Sequence, residues 1–193
     1  IFPMNIIERN GVSPVHQDTL RLAEIASKYD KKKVLDMGTG TGYIAVYLAR
    51  TGAMVDATDI NEDALSCARE NARINNVSIN LFYSNLFEKI SGEYDLIIFN
   101  PPIGGLEPKW QTGIKALIRK SIFKNIVSKI ISRISQQKRI PFIKKFINES
   151  RSHLSPGGVL LMHVQSIDIP LLSKYKITVI EKVFDHSSII EIR

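Results

Sequence analysis

Residues 33–43 read KVLDMGTGTGY, a short apolar run that ends in a turn with glycine at 38, 40 and 42. Gly38, Gly40 and Gly42 let the backbone approach a ligand without a Cβ collision, and they aim the unsatisfied N–H groups of the next helix at it. That helix is predicted through YIAVYLA (43–49), and Gly52 stops it. A second strand runs from Met54 to Thr58 and ends at Asp59, 23 residues beyond Asp36. A carboxylate at that place can accept both hydroxyls of a ribose. The spacing departs from the dinucleotide fingerprint G-x-G-x-x-G, because its third glycine would fall on Tyr43. Taken alone, the turn also reads as a tight strand-to-helix connection, and Asp59 is what argues for more.

Outward from this unit, apolar runs and helical patterns alternate, which suggests a parallel sheet covered by helices. Asp18 to Tyr29 is predicted helical, with Leu20, Leu22, Ala23, Ile25 and Ala26 on its apolar face and Asp18 or Thr19 able to cap it. Asn61 caps a helix that runs to about Ile74, and Ser78–Tyr83 and Tyr94–Phe99 are the third and fourth strands. A helix is predicted from Pro141 to Leu154, then an SPGG turn at 155–158 and a strand from Val159 to Val164. A closing pair lies near Ile177–Phe184 and Ser187–Ile192.

The fourth strand runs straight into Asn100-Pro101-Pro102-Ile103. An asparagine side chain and a proline carbonyl can both accept hydrogen bonds from an NH2 group, and paired prolines hold the backbone still. This is a site for an amide or amine nitrogen. Read without the glycine turn, Asn100-Pro101-Pro102 is a strand-ending turn.

At 193 residues and 44% hydrophobic content the chain is expected to be one domain, 1–193, with a helical lead-in at 1–30 and a basic insert at 109–140. The sole cysteine, Cys67, excludes an intrachain disulfide, and His16, His153, His163 and His186 show no ligand spacing, so no metal is expected. Cys67 reads as a helix-core thiol and His163 as an ordinary strand histidine. No apolar run approaches the roughly 20 residues of a membrane span, and Ile1-Phe2-Pro3 does not open a charged leader. A cytoplasmic protein is expected. The net charge of +7 is unevenly spread: Lys109 to Arg151 holds twelve basic residues against Glu149, and the remainder is net negative. A field of that sign attracts phosphates or anionic surfaces.

Three segments, VLDMGTGTG (34–42), ATDINEDALSCARENA (57–72) and DLIIFNPPI (95–103), resemble the S-adenosylmethionine-dependent methyltransferases of Rossmann-like class. The branch is the one with an N-P-P motif, which includes HemK-like protein-glutamine N5-methyltransferases and RNA or DNA amino-group methyltransferases. The resemblance covers about 15–110 and 141–193. It implies the class I α/β fold, a seven-stranded, mostly parallel sheet in the order 3-2-1-4-5-7-6 with helices on both faces. The basic insert would be a helix between strands 4 and 5.

The same resemblance implies roles. Asp36, Gly38, Thr39, Gly40 and Gly42 would hold the amino-acid end of S-adenosylmethionine, with Asp36 either organising the turn or receiving the ammonium group. Asp59 would hold the ribose, and Ile60 would pack on adenine. The family segment matched by Ser84-Asn85-Leu86-Phe87 usually has aspartate at position 85, and Asn85 can still accept the adenine N–H through its amide oxygen. Thr19, in a segment similar to a family P-x-x-D-T run, would stand near the methionine end, as would Asn100; the same run also reads as a helix cap. Asn100, Pro101, Pro102 and Ile103 would form the acceptor site. The family usually places Tyr or Phe where Ile103 stands, so the aromatic stacking term of roughly 1–3 kcal/mol per base is lost there.

Within the insert, apolar residues such as Ile114, Leu117, Ile118, Ile122 and Phe123 recur at helical spacing with cations between them. One reading is an extra helix with solvated charges. Another is an RNA platform using Lys109, Trp110, Lys115, Arg119, Lys120, Lys124 and Lys129. A membrane-surface helix is a third, disfavoured because no lipidation signal accompanies it. An RNA amino group or ribosomal component is the preferred acceptor. The alternatives are a glutamine amide of a translation factor and a non-catalytic RNA- or partner-binding protein, and a small partner subunit is compatible with each.

Overall fold

The computed structural model describes residues 4–101, 137, 139–184 and 186–193. Pro102 and Ile103 lie outside the described residues, as do Lys109, Trp110, Lys115, Arg119, Lys120, Lys124, Lys129 and the predicted inserted helix.

The elements are α1 (Gln17–Ala26), β1 (Lys33–Met37), α2 (Tyr43–Arg50), β2 (Met54–Asp59), α3 (Glu62–Ile74), β3 (Asn80–Tyr83) and β4 (Tyr94–Phe99). After them come α4 (139–150), β5 (Leu154–Gln165), β6 (Ile177–Phe184) and β7 (Ser187–Ile192). The seven strands form one sheet in the order β3-β2-β1-β4-β5-β7-β6, as expected. Strands β1 to β5 pair in parallel, and β7 runs antiparallel to both β5 and β6.

Successive strand residues point to opposite faces, and here both faces are apolar, as a covered parallel sheet requires. Leu35, Met37, Ile97, Phe99, Leu160 and Met162 bury themselves with Ile143, Phe146 and Ile147 of α4. Val34, Leu96, Ile98, Val159 and Leu161 meet Leu22, Ala23 and Ile25 of α1 and Ile44, Ala45 and Leu48 of α2. The start of α4 is fastened by a buried two-toothed ion pair. Arg139 Nε donates to Asp168 Oδ2 at 2.6 Å and Nη2 to Oδ1 at 2.9 Å, both side chains being essentially inaccessible. One cation of the basic stretch is therefore a structural tie and does not contribute to a surface field.

Two local expectations change. Helix α1 is preceded by His16 without a side-chain cap, and neither Asp18 nor Thr19 caps it; both side chains turn toward Asn100 instead. The Ser155–Gly158 turn lies inside β5 as a bulge, because the register jumps from Tyr94↔Leu154 to Leu96↔Val159. Gly158 makes this possible: a Cβ there would stand 2.8 Å from the Ser155 carbonyl oxygen and 3.0 Å from that of Tyr94. By contrast, Asn61 caps α3 as expected, its side chain accepting from Asp63 N at 3.0 Å.

Candidate functional site

Strand order reverses between β1 and β4, and in open α/β sheets ligands bind outside the carboxyl ends of strands at such a point. A cavity of about 650 Å³ lies there, lined by the turn after β1 (Gly38, Gly40), the end of β2 (Asp59, Ile60), the loop after β3 (Asn85, Leu86) and the end of β4 (Asn100, Pro101). That volume falls within the roughly 300–1,000 Å³ typical of small-molecule sites. Thr19 of α1, Phe142 of α4 and His163 of β5 also line it.

The glycine turn is built by hydrogen bonds across strands. Thr39 N donates to Thr58 O at 2.8 Å, and Gly40 N to Asp59 Oδ2 at 2.9 Å. Gly38, Gly40 and Gly42 all have positive φ. Gly38 lies over the Phe99 ring, where an added Cβ would be 3.5 Å from Cε2. Gly42 does not line the cavity; its reason is packing, since a Cβ there would come within 2.7 Å of Ala68 Cβ on α3. Thr39 and Asp36 are likewise set behind the cavity wall. The Asp36 carboxylate accepts from Thr39 Oγ1 at 2.6 Å and from the Ala45 backbone, which realises the turn-organising alternative.

Burial pushes the Asp36 carboxyl up to about 7, against the pull of the Thr39 and Ala45 donors and with a small contribution from Asp59. Its folded value exceeds its ordinary 3.8, so the folded state holds more protons between the two values and stability falls as pH rises through that window. An Asp36→Asn variant should therefore gain stability relative to wild type as pH goes from about 4 to about 7, with no further gain above. Urea unfolding across this range checks it. A flat difference would show that Asp36 titrates normally.

Asp59 Oδ1 accepts from Asn61 N at 2.9 Å and Oδ2 from Gly40 N, so each oxygen keeps a lone pair for a further donor. Beside it Ile60 is 60% exposed, an apolar surface at the cavity wall. Asn85 Nδ2 donates to Glu88 Oε1 at 2.7 Å; a carboxylate only accepts, so the amide oxygen of Asn85 is the end left to receive a donor. Leu86 holds φ +50, a left-handed conformation costly for a branched residue. Ser84 stabilises that turn by donating to Leu86 O at 2.7 Å and accepting from Lys89 N at 3.1 Å.

At the other end, Asn100 Nδ2 donates to Asp18 Oδ2 and Thr19 Oγ1, both at 3.1 Å, and Oδ1 faces His163 Nδ1 at 3.1 Å. Both amide hydrogens are thus used within the chain, and Oδ1 keeps one lone pair. Burial lowers the His163 pKa, opposed by Asp18 and assisted by His186. His163 was not expected at the site, and the strand register is what brings it there. Phe99 pairs with Met162 in the β4–β5 ladder, so the following residues, Asn100 and His163, stand side by side. Phe142 was missed as well. Its ring packs on Phe99 with centroids 5.9 Å apart and is half-buried, placing an aromatic wall next to Asn100 and Pro101.

The donor set fits a nucleoside-like ligand: a carboxylate with lone pairs for hydroxyls, an apolar platform, an amide acceptor and a glycine turn without side chains. Among the described residues no three His, Cys, Asp or Glu side chains gather as a metal group, and no helix is long and apolar enough to cross a membrane.

Comparison with known proteins identifies the family of the chain. The family model for the methyltransferase small domain matches residues 14–124. The release factor glutamine methyltransferase of Lactococcus lactis is 26% identical over 153 residues, covering 78% of this chain and 54% of that protein. The ribosomal RNA small subunit methyltransferase C of Buchnera aphidicola is 37% identical over 84 residues, 41% of this chain and 24% of that one. A 16S rRNA N2 methyltransferase of T. thermophilus, solved with AdoMet and guanosine, shares the fold with a TM-score of 0.65 at 19% identity, covering 95% of this chain and 44% of that one. The chain spans about half the length, or less, of the curated relatives it matches. With its glycine turn, its sheet order and the match over residues 14–124, the chain belongs to the methyltransferase small domain family.

Proposed function

We propose that the protein is an S-adenosylmethionine-dependent N-methyltransferase whose acceptor is a planar amino or amide nitrogen. The observation that carries this reading is the shared cavity. Gly38, Gly40, Asp59, Ile60, Asn85 and Leu86 stand at one end of it and Asn100 with Pro101 at the other. When bound, the cofactor supplies an electrophilic sulfonium methyl group. Asp59 would take the ribose hydroxyls, Ile60 the adenine face and Asn85 the adenine N–H. Oδ1 of Asn100 would accept an N–H of the acceptor, which holds the nitrogen lone pair out of conjugation and fixes its direction. Phe142 gives a flat acceptor an apolar face close to Asn100. Pro102 and Ile103 would complete the acceptor end, in a single domain spanning 1–193.

Two acceptors remain, each favoured by a specific observation. An RNA amino group is favoured by the basic run from Lys109 to Arg151, and Lys109, Trp110, Lys115, Arg119, Lys120, Lys124 and Lys129 are its proposed contacts. A glutamine amide of a translation factor is favoured by the release factor methyltransferase that aligns over 78% of the chain. Salt dependence separates them. If the cations meet phosphates, each contact adds roughly 0.7–0.9 to the slope of log affinity against log salt, and replacing Lys115, Arg119 and Lys124 with glutamine lowers it by about 2–3. An unchanged slope, with label still entering a protein fraction, assigns the glutamine acceptor.

A further inference from the structure

We infer that His163 is a positioning residue for Asn100: as a neutral ring protonated on Nδ1, it works with Asp18 to hold the Asn100 amide in one of its two orientations. The inference rests on the proposed role of Asn100 for its consequence, though its geometry stands independently.

The two faces of the amide meet different partners. On one side are the Asp18 carboxylate and the Thr19 hydroxyl, at 3.1 Å each. On the other is His163 Nδ1, also at 3.1 Å. Turning the amide over would set its oxygen against the Asp18 carboxylate, where neither atom can donate. Asp18 therefore fixes the NH2 end, and the oxygen must face the ring.

Three states of the ring can be compared. His163 Nδ1 has two oxygens before it, Asn100 Oδ1 and, at 3.4 Å, Asp18 Oδ2. Nε2 is buried and has no partner among the described residues. With the proton on Nε2, a buried donor would go unmatched, and the Nδ1 lone pair would face two acceptor oxygens. The doubly protonated ring would satisfy Nδ1 yet still strand a buried Nε2–H, in a site where the residue is only 7% exposed. The Nδ1–H form alone matches both sides, leaving only an unpaired acceptor. Burial acts in the same direction by opposing the charged ring.

The consequence concerns acceptor strength and aim. Nδ2 gives both hydrogens to Asp18 and Thr19, and donation toward a carboxylate polarises the amide so that Oδ1 becomes a better acceptor. One lone pair of Oδ1 is held by His163, and the other is left in a fixed direction for an incoming N–H. A rotatable amide would present NH2 to the acceptor part of the time and repel it.

The test has two readouts. Long-range ¹H–¹⁵N correlation on histidine-labelled protein at pH 7 should show His163 with Nδ1 protonated and Nε2 unprotonated. An Nε2–H or doubly protonated ring would overturn the inference, whether or not the protein transfers methyl groups. In the transfer assay, His163→Leu should lose tenfold or more in rate, on the order expected for a misaligned nucleophile, with affinity for S-adenosylhomocysteine unchanged. His163→Asn, whose side chain can put an N–H where Nδ1–H stands, should recover most of it. Equal rates for His163→Leu and wild type, or no recovery in a folded His163→Asn, would also overturn the inference. A wild type that transfers no methyl group to any fraction contradicts the proposed function, and the tautomer spectrum still decides this inference.

Discussion

Asn100→Ala should bind S-adenosylhomocysteine within a few-fold of wild type and lose at least about a hundredfold in methyl transfer, the scale expected when a nucleophile is no longer aligned. The proposed cofactor end of the cavity is built by residues that do not depend on Asn100: the glycine turn is held by Thr58 and Asp59, and Leu86 by Ser84. What the substitution removes is the Asn100 side-chain oxygen at the carboxyl end of β4, together with the donors that satisfy Asp18 and Thr19. Those two side chains line an open cavity and regain hydrogen bonds from water, so the fold should persist. Stopped-time assays with labelled methyl donor beside calorimetry on the same samples separate the two effects. Equal activity would remove Asn100 from the mechanism, and lost cofactor affinity would make it a cofactor residue.

Asp59→Ala should weaken S-adenosylhomocysteine by about 1.5–3 kcal/mol, the range for losing hydrogen bonds to a charged acceptor, or roughly ten- to 150-fold in dissociation constant. The structure adds a second cost to the first. Asp59 also holds the Gly40 and Asn61 N–H groups, so its loss loosens the turn that shapes the cavity. Asp59→Asn keeps one oxygen and should fall between wild type and alanine. Calorimetry with NAD as a control decides the ligand class, because a wild type that binds NAD and neither adenosyl compound contradicts the assignment at its base.

Local chemistry made most of the sheet legible from the residues. The run at 33–37, the apolar strands at 54–59 and 94–99 and the Asn61 cap all appear where sequence placed them. Cross-strand order came from the resemblance, since periodicity states that strands exist but not which ones pair. Where the structure adds to or changes these readings, one cause recurs: a residue's local signal was taken without its tertiary neighbour. Asp18 and Thr19 look like caps, yet Asn100, 81 residues or more away, claims their side chains. His163 looks like a strand histidine, and only the β4–β5 register puts it beside Asn100. Gly42 looks like part of a ligand cradle, while its constraint is Ala68 of α3. The SPGG segment looks like a chain reversal, but a bulge absorbs it within one strand.

The central claim is methyl transfer to a planar nitrogen. Its most direct measurement is incubation of wild-type protein with isotope-labelled S-adenosylmethionine and separated RNA and protein fractions of a cell lysate, followed by mass spectrometry of the labelled nucleoside or residue. The predicted result is label on an exocyclic base nitrogen or a glutamine amide nitrogen, absent when Asn100→Ala replaces wild type. Label on carbon, on oxygen or on a carboxylate, or none from protein that binds the donor, would contradict it.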